Sequence, residues 1–348
     1  MKSRSILRIC AIALFLLATV HSSPFLVSSA GAQTITLTYA NFPPAPTFPC
    51  VQMERWAKEV NARTNGKVVV KTFPGGTLLG AKNMFDGVVS GVADIGCLAT
   101  AYQPGRFLFL EAMDLPLEFP SAEVASLAMW DLYVKHKPKA FDQVKVLTMF
   151  TCAPANIMSQ KPVRKLEDLE GLKLRAAGTG VEIMKLLGAQ PEGMPMSAVP
   201  EALQKAVVHG LVSSLEVMKD MKFAEYCKFV TMCDLWVVPF AVVMNKQKWE
   251  SLPDDVKKVF DDLSREQSKW TGEYADKHAK DASEWSKETE KVEFITLPKE
   301  EKDRWTAKIK PVIQQYLDRT QKEGINGKEV LDDLTKLKTE LSRTGGVK

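Results

Sequence analysis

Gly171-Leu172-Lys173-Leu174-Arg175-Ala176-Ala177-Gly178-Thr179-Gly180 decides the fold. Leu172 and Leu174 alternate with Lys173 and Arg175, the period of a short strand with one buried face. Two glycines and a threonine end the strand near Ala177. Residues 181–187 then read as an amphipathic helix stopped by Gly188. Arg175 is therefore placed near the carboxyl end of a strand, beside a helix amino terminus. Open α/β sheets bind ligands at that edge. A helix amino terminus favours an anion, and a guanidinium fork holds a carboxylate through two hydrogen bonds. For an arginine on a strand considered alone, an ordinary surface ion pair is the commoner role.

Outward from this stretch, strands and helices alternate. Residues 34–39 form a first strand, stopped by Pro43, Pro44, Pro46 and Pro49. A helix runs through Met53, Trp56 and Val60 to Asn65-Gly66. Residues 67–73 are a second strand. Residues 81–91 are a helix with Met84, Phe85, Val88 and Val89 on one face. Residues 92–98 are a third strand leading into Thr100 and Tyr102. Residues 122–137 form another helix, and the strand at 144–150 leaves the first domain. Residues 162–169 are a turn and short helix. Residues 198–208 are helical, 210–214 a strand with a polar end, and 229–245, apolar around Pro239, cross back to the first domain. Such alternation argues an α/β fold with a largely parallel sheet.

From Ser251 the period changes. Ser251, with an acid three residues on, is a capping start. Val256, Val259, Phe260, Leu263, Gln267, Trp270, Tyr274, His278, Ala282 and Trp285 recur every three or four positions. One helix over 251–290, about 40 residues and roughly 60 Å long, exceeds one small domain and braces two. Gly272 inside it is a candidate kink. Residues 294–297 read as a strand and 299–321 as the last major helix, with a frayed tail from Gly345-Gly346.

The 348 residues suffice for two domains, with 45% hydrophobic and 25% charged content and a formal charge of +4. That charge argues against a nucleic-acid surface. Lys2, Arg4 and Arg8, an apolar run from Ile9 to Val20 and Ala30-Gly31-Ala32 read as a signal peptide over 1–32, so the mature chain is expected to begin at Gln33 in the periplasm. Leu7-Arg8-Ile9-Cys10 is a poor lipoprotein signal, so no lipid anchor is expected. No later apolar run reaches roughly 18 residues. Five cysteines remain: Cys50, Cys97, Cys152, Cys227 and Cys233. An odd number leaves at least one free thiol, and Cys227 with Cys233 is a candidate pair. No Cys-x-x-Cys spacing occurs and the histidines are scattered, so no zinc site is assigned.

The order Asn65-Gly66-Lys67-Val68, Ser90-Gly91-Val92-Ala93-Asp94, Lys161-Pro162-Val163, Leu166-Glu167-Asp168-Leu169-Glu170-Gly171-Leu172-Lys173-Leu174-Arg175, Ala202-Leu203-Gln204 and Met244-Asn245-Lys246 resembles a known family. It is that of the extracytoplasmic solute receptors of tripartite ATP-independent periplasmic (TRAP) transporters, the DctP type. The resemblance covers nearly all of the mature chain. It implies a two-domain periplasmic binding protein fold with crossing strands and a long bracing helix. Domain I would hold 33–150 with 246–265, and domain II 151–245 with part of 266–348. It also implies an organic acid held by Arg175 in a closing cleft, delivered by a monomer to TRAP permease subunits. No cofactor, metal, nucleic acid or catalytic residue is implied.

Several matching positions depart from the family. A second arginine is replaced near Asn156, a common aromatic by Met196, and an acid and tyrosine by Ala198 and Pro200. His209-Gly210-Leu211-Val212-Ser213-Ser214 stands where many members read Asp-Gly-x-Glu-Asn-Pro. Fewer charges around the arginine argue for a monocarboxylate with an apolar or aromatic body, and against a dicarboxylate or sialic-acid-like cargo. Candidate ligand contacts are Arg175, Asn156, Tyr102, Thr100, Met196, Ser213, Trp236 and Phe48, with Phe42 a further cap. Against each stands a plainer role: Trp236 lies among apolar neighbours, and methionine fills gaps. A secreted hydrolase or lyase using His209 with Ser213 or Ser214 is the other class, although no Gly-x-Ser-x-Gly elbow, metal motif or phosphate loop occurs. A ligand-sensing receptor for a membrane kinase is a third.

Overall fold

The computed structural model describes residues 34–345. The signal-peptide assignment, including Cys10 and the cleavage site, lies outside them, as does the tail from Gly346.

The strands are β1 Ile35–Asn41, β2 Val68–Phe73, β3 Ile95–Ala99, β4 Val144–Thr151, β5 Asn156–Ser159 and β6 Lys173–Ala176, followed by β7 Gln190–Gly193, β8 Gly210–Ser213, β9 Phe229–Met232, β10 Pro239–Asn245 and β11 Glu293–Thr296. They form two sheets, ordered β2-β1-β3-β10-β4 and β11-β9-β5-β8-β6-β7. Both sheets are mixed. β1 is parallel to β2 and β3, but β10 runs antiparallel to β3 and β4. β6 is parallel to β7 and β8, whereas β5 is antiparallel to β8 and β9. The largely parallel arrangement is therefore corrected. A strand that crosses back from the other sheet arrives with reversed direction, which local alternation cannot register.

β4 stays in the first sheet, and the chain leaves after it. Residues 152–155 run out to β5 while residues 233–238 return from β9 to β10. The two connections run side by side: the Ala155 amide donates to the Trp236 carbonyl at 2.8 Å, and the Leu235 amide to the Ala155 carbonyl at 2.9 Å. The Cys152 amide donates to the Val238 carbonyl at 3.2 Å. Pairing across the junction satisfies backbone groups that would otherwise be buried unmade.

The long helix is Asp254–Glu288, 35 residues. Its N-cap is Pro253, with no side-chain cap, and Ser251 instead ends a separate Lys246–Glu250 helix. Proline's lack of an N–H puts it at the helix boundary. The helix runs unbroken through Gly272. A Cβ there would lie 2.6 Å from the Glu123 Cα, so this glycine permits close packing against the Ala122–His136 helix. The helix reaches elements beside both sheets. The Thr148 hydroxyl on β4 donates to the Ser264 carbonyl at 2.8 Å, and further along His278 Nε2 lies 2.9 Å from Asp220. Buried Gln267 donates to the Gln52 carbonyl at 2.9 Å and receives Arg55.

The expected last helix is broken at Lys310–Pro311 into Lys299–Ile309 and Pro311–Lys322. Proline cannot donate back to the preceding turn. A further helix, Gly327–Gly345, was not read from the sequence. The helix at 198–208 shortens to Val199–Gln204, and β5 and β7 were missed. At four residues each, those two strands are too short to show a period. Cys227 and Cys233 do not pair: all five cysteines among the described residues are free. Burial pushes the Cys50, Cys152 and Cys227 thiols up to about 12, which keeps them protonated and unreactive. No helix among the described residues is long and apolar enough to cross a membrane.

Candidate functional site

β6 ends as the opening stretch predicts, and the Gly180–Leu186 helix follows it. The strand period alone puts Arg175 on the face of exposed Lys173. Arg175 is nevertheless only 3% exposed, because other elements cover it. Its Nε donates to the Met194 carbonyl at 2.9 Å, and its Nη2 donates to the Tyr102 hydroxyl at 2.9 Å. The Met196 amide donates to the same hydroxyl at 3.1 Å. Tyr102 sits on the single turn Thr100–Tyr102 that follows β3 in the first sheet. The contact therefore closes from one sheet to the other. Among the described residues, no acidic side chain forms an ion pair with Arg175. A buried cation without a counter-charge is unfavourable by several kcal/mol.

Arg175 lines a cavity of about 60 Å³. One wall is aromatic. Phe42 lies edge-on to Tyr102 at 5.5 Å between centroids, and Phe48 edge-on to Phe240 at 5.7 Å. Phe240 stacks on Phe150 at 5.2 Å behind it. Met196, Met221 and Val238 add apolar surface, and Ser213, Ser214 and Glu216 add polar groups. Ser214 Oγ donates to Glu216 Oε1 at 2.5 Å. Burial raises the Glu216 carboxyl to about 7, although the Ser214 hydrogen bond opposes that shift.

The cavity thus gathers Arg175, Tyr102, Met196, Ser213 and Phe48, with Phe42 as the cap. Three candidates lie elsewhere. Asn156 pins the crossing: its Oδ1 accepts the Cys233 and Asp234 amides at 2.7 and 3.0 Å. Trp236 packs over Gly180, where a Cβ would come within 2.3 Å of the indole. Thr100 donates to the Pro239 carbonyl at 3.4 Å and lines a separate opening of about 720 Å³ with Asp114, Gly178, Thr179 and Arg319. That larger opening contains none of the Arg175 contacts. Its Asp114 carboxyl is pushed well above the usual carboxylate range by burial, with Glu111 adding to the shift. His209 makes a backbone bond to Lys173 at 2.8 Å and does not line the cavity. Ser214 bonds to Glu216 rather than to an imidazole.

Glu216 and Phe240 were missed, and Ser214 was named only for the hydrolase reading. Glu216 follows the carboxyl end of β8, the same edge that marks Arg175 and Tyr102, so the edge rule applied to every strand finds it. A His136, Glu329 and Asp333 cluster has metal-ligand spacing, but Asp333 already pairs with Lys135 at 2.6 Å and with His136 at 2.7 Å.

The family described as bacterial extracellular solute-binding protein, family 7 (DctP), matches residues 43–320. A solved TRAP periplasmic solute-binding protein from Desulfovibrio salexigens is 53% identical, with TM-score 0.80. The match covers 88% of this chain and 96% of that one. It was captured as an open complex with the C-terminus of a symmetry mate in its ligand-binding site. A marine metagenome TRAP solute-binding protein specific for aromatic acids, solved with metahydroxyphenylacetate, is 29% identical with TM-score 0.84 over 88% and 99% of the two chains. The C4-dicarboxylate-binding protein DctB of Bacillus subtilis is 24% identical over 82% of this chain and 81% of its own.

Proposed function

The chain belongs to the bacterial extracellular solute-binding proteins of family 7, the DctP type of TRAP solute receptor, and on that premise we propose that it carries a monocarboxylate with an apolar or aromatic body. The observation that carries this is Arg175: a buried guanidinium with no acidic partner, facing an aromatic-walled cavity. Two of its donors hold Met194 and Tyr102, and the rest of the fork is left for a carboxylate. The Tyr102 oxygen already accepts two N–H groups, so its own proton is available to the same carboxylate. The metagenome relative's aromatic acids support this cargo class, and the dicarboxylate relative, at lower identity, is the competing reading.

A second carboxylate on the cargo would find Glu216 rather than a second cation. Burying a like-charged pair is unfavourable by several kcal/mol. An aromatic body would gain about 25 cal/mol per Å² of apolar surface buried. The cargo closes the two halves, approximately 33–150 with 246–265 and 151–245 with part of 266–348, and is passed to an ion-driven permease from the periplasm. Export would follow cleavage near Ala32. No catalytic step is assigned.

The experiment is recovery of the co-purified ligand by mass spectrometry after denaturation, followed by a thermal-shift screen of matched mono- and dicarboxylates. At equal ligand concentration, a tighter ligand raises the melting temperature more, the stabilisation growing with the logarithm of concentration over Kd. Larger shifts with benzoate-like acids than with succinate or malate support the reading. The reverse order sinks it.

A further inference from the structure

One residue of the cavity wall carries a polar atom that nothing among the described residues satisfies. Glu216 is 3% exposed and lines the same cavity as Arg175. Ser214 satisfies Oε1, but Oε2 has no hydrogen-bond partner among the described residues. His278, the titratable group of the long helix on this side, is engaged by Asp220 instead. A carboxylate oxygen buried without a partner is unfavourable, and native structures retain such atoms where a ligand, ion or water completes them.

We propose that Glu216 is a specificity-determining residue and that the cargo acid carries a hydrogen-bond donor on its body, a hydroxyl or ring N–H, accepted by Oε2. This rests on the organic-acid reading of the cleft and narrows it. Arg175 and Tyr102 hold the carboxylate, the phenylalanine wall takes the ring, and Glu216 selects the substituent. A cation partner is less suited to the place, because the cavity already holds the buried Arg175 guanidinium. An acid lacking the donor leaves Oε2 unpaired, whereas one that has it forms a charge-assisted bond. The difference should be on the order of 10- to 100-fold in affinity.

The test is calorimetry at pH 8, where the Glu216 carboxyl is ionised, on the wild-type chain and on Glu216→Gln and Glu216→Ala. The probes are benzoate against 3- and 4-hydroxybenzoate, phenylacetate against its 3- and 4-hydroxy forms, furan-2-carboxylate against pyrrole-2-carboxylate, and succinate. The expected result is at least one donor-bearing acid that binds tenfold or more tightly than its parent. In Glu216→Gln, Ser214 keeps the amide oxygen, so the NH2 takes the Oε2 position and meets the ligand's donor with another donor. That preference should vanish or invert. Glu216→Ala should also abolish it. No preference in the wild type, or a preference that survives both substitutions, overturns this inference alone. Binding of none of the acids, or of succinate alone, overturns the organic-acid reading and this inference with it.

Discussion

The Arg175 guanidinium and the Tyr102 hydroxyl, 73 residues apart in sequence, meet at 2.9 Å across the two sheets. Each is held at the carboxyl end of a strand, Arg175 on β6 and Tyr102 after β3. The phenol also takes the Met196 amide, so a single oxygen after β3 holds both Arg175 and the Met196 backbone. Tyr102→Phe keeps the ring against Phe42 and removes both bonds. It should weaken ligand binding by about 1–2 kcal/mol, mainly as faster dissociation, with no change in the far-ultraviolet spectrum. Stopped-flow release of the ligand reads this directly. An unaltered off-rate would show that the hydroxyl is incidental to closure.

Arg175→Ala should lose about 2–5 kcal/mol of binding to the cargo acid. Without ligand, the same variant should keep the wild-type far-ultraviolet spectrum, because the side chain's own bonds are two, to Met194 and Tyr102. Arg175→Lys should also bind weakly, since an ammonium cannot reproduce the planar fork. Calorimetry paired with far-ultraviolet spectra separates the two effects. Unchanged affinity in Arg175→Ala removes the anchor role.

Gly178 has φ +56°, and a Cβ on it would lie 2.9 Å from both the Ala101 Cβ and Asp114 Oδ2. Ala101 and Asp114 follow β3 of the first sheet and Gly178 follows β6 of the second, so the glycine permits their close approach. Gly178→Ala should prop the cleft apart at a cost of about 1–3 kcal/mol. Scattering with saturating ligand should then give a larger radius of gyration than the liganded wild type. Equal radii would show that the contact yields without opening the cleft.

Glu216 makes stability depend on pH. Its carboxyl is raised from the ordinary 4.5 to about 7, first by burial, with Asp220 adding to the shift and Ser214 and His278 opposing it. Between those values the native state holds the proton more firmly than the unfolded chain. Stability from this group is full below about pH 4.5 and is lost as pH rises through about 7. The loss is about 3 kcal/mol in total. Glu216→Gln has no such proton, so its stability relative to wild type should grow across that window and level off above it. Urea melts at pH 5, 6, 7 and 8 measure this. A difference that stays constant with pH means the carboxyl titrates at its ordinary value.

The sequence alone located β6 and set Arg175 at its carboxyl end. It also drew the long helix within a few residues of Asp254–Glu288 and alternated strands and helices as an α/β protein. Those features are local: a period of two or of 3.6, a glycine stop or a proline boundary is written in adjacent residues. Other features depend on which segments come to lie together. β10 runs antiparallel within the first sheet because the chain re-enters it from the other side. Asn156, read as a ligand contact, holds the crossing instead, because β5 starts where the Cys233–Asp234 return passes. Arg175 carries the alternation of an exposed position and is buried only because Tyr102 and the Met194–Met196 segment close over it. Glu216 gains its near-neutral carboxyl and its unpaired oxygen only inside the closed cavity. Burial and partnership are set by packing between distant segments, and local periodicity carries no information about which distant residue will cover a given face.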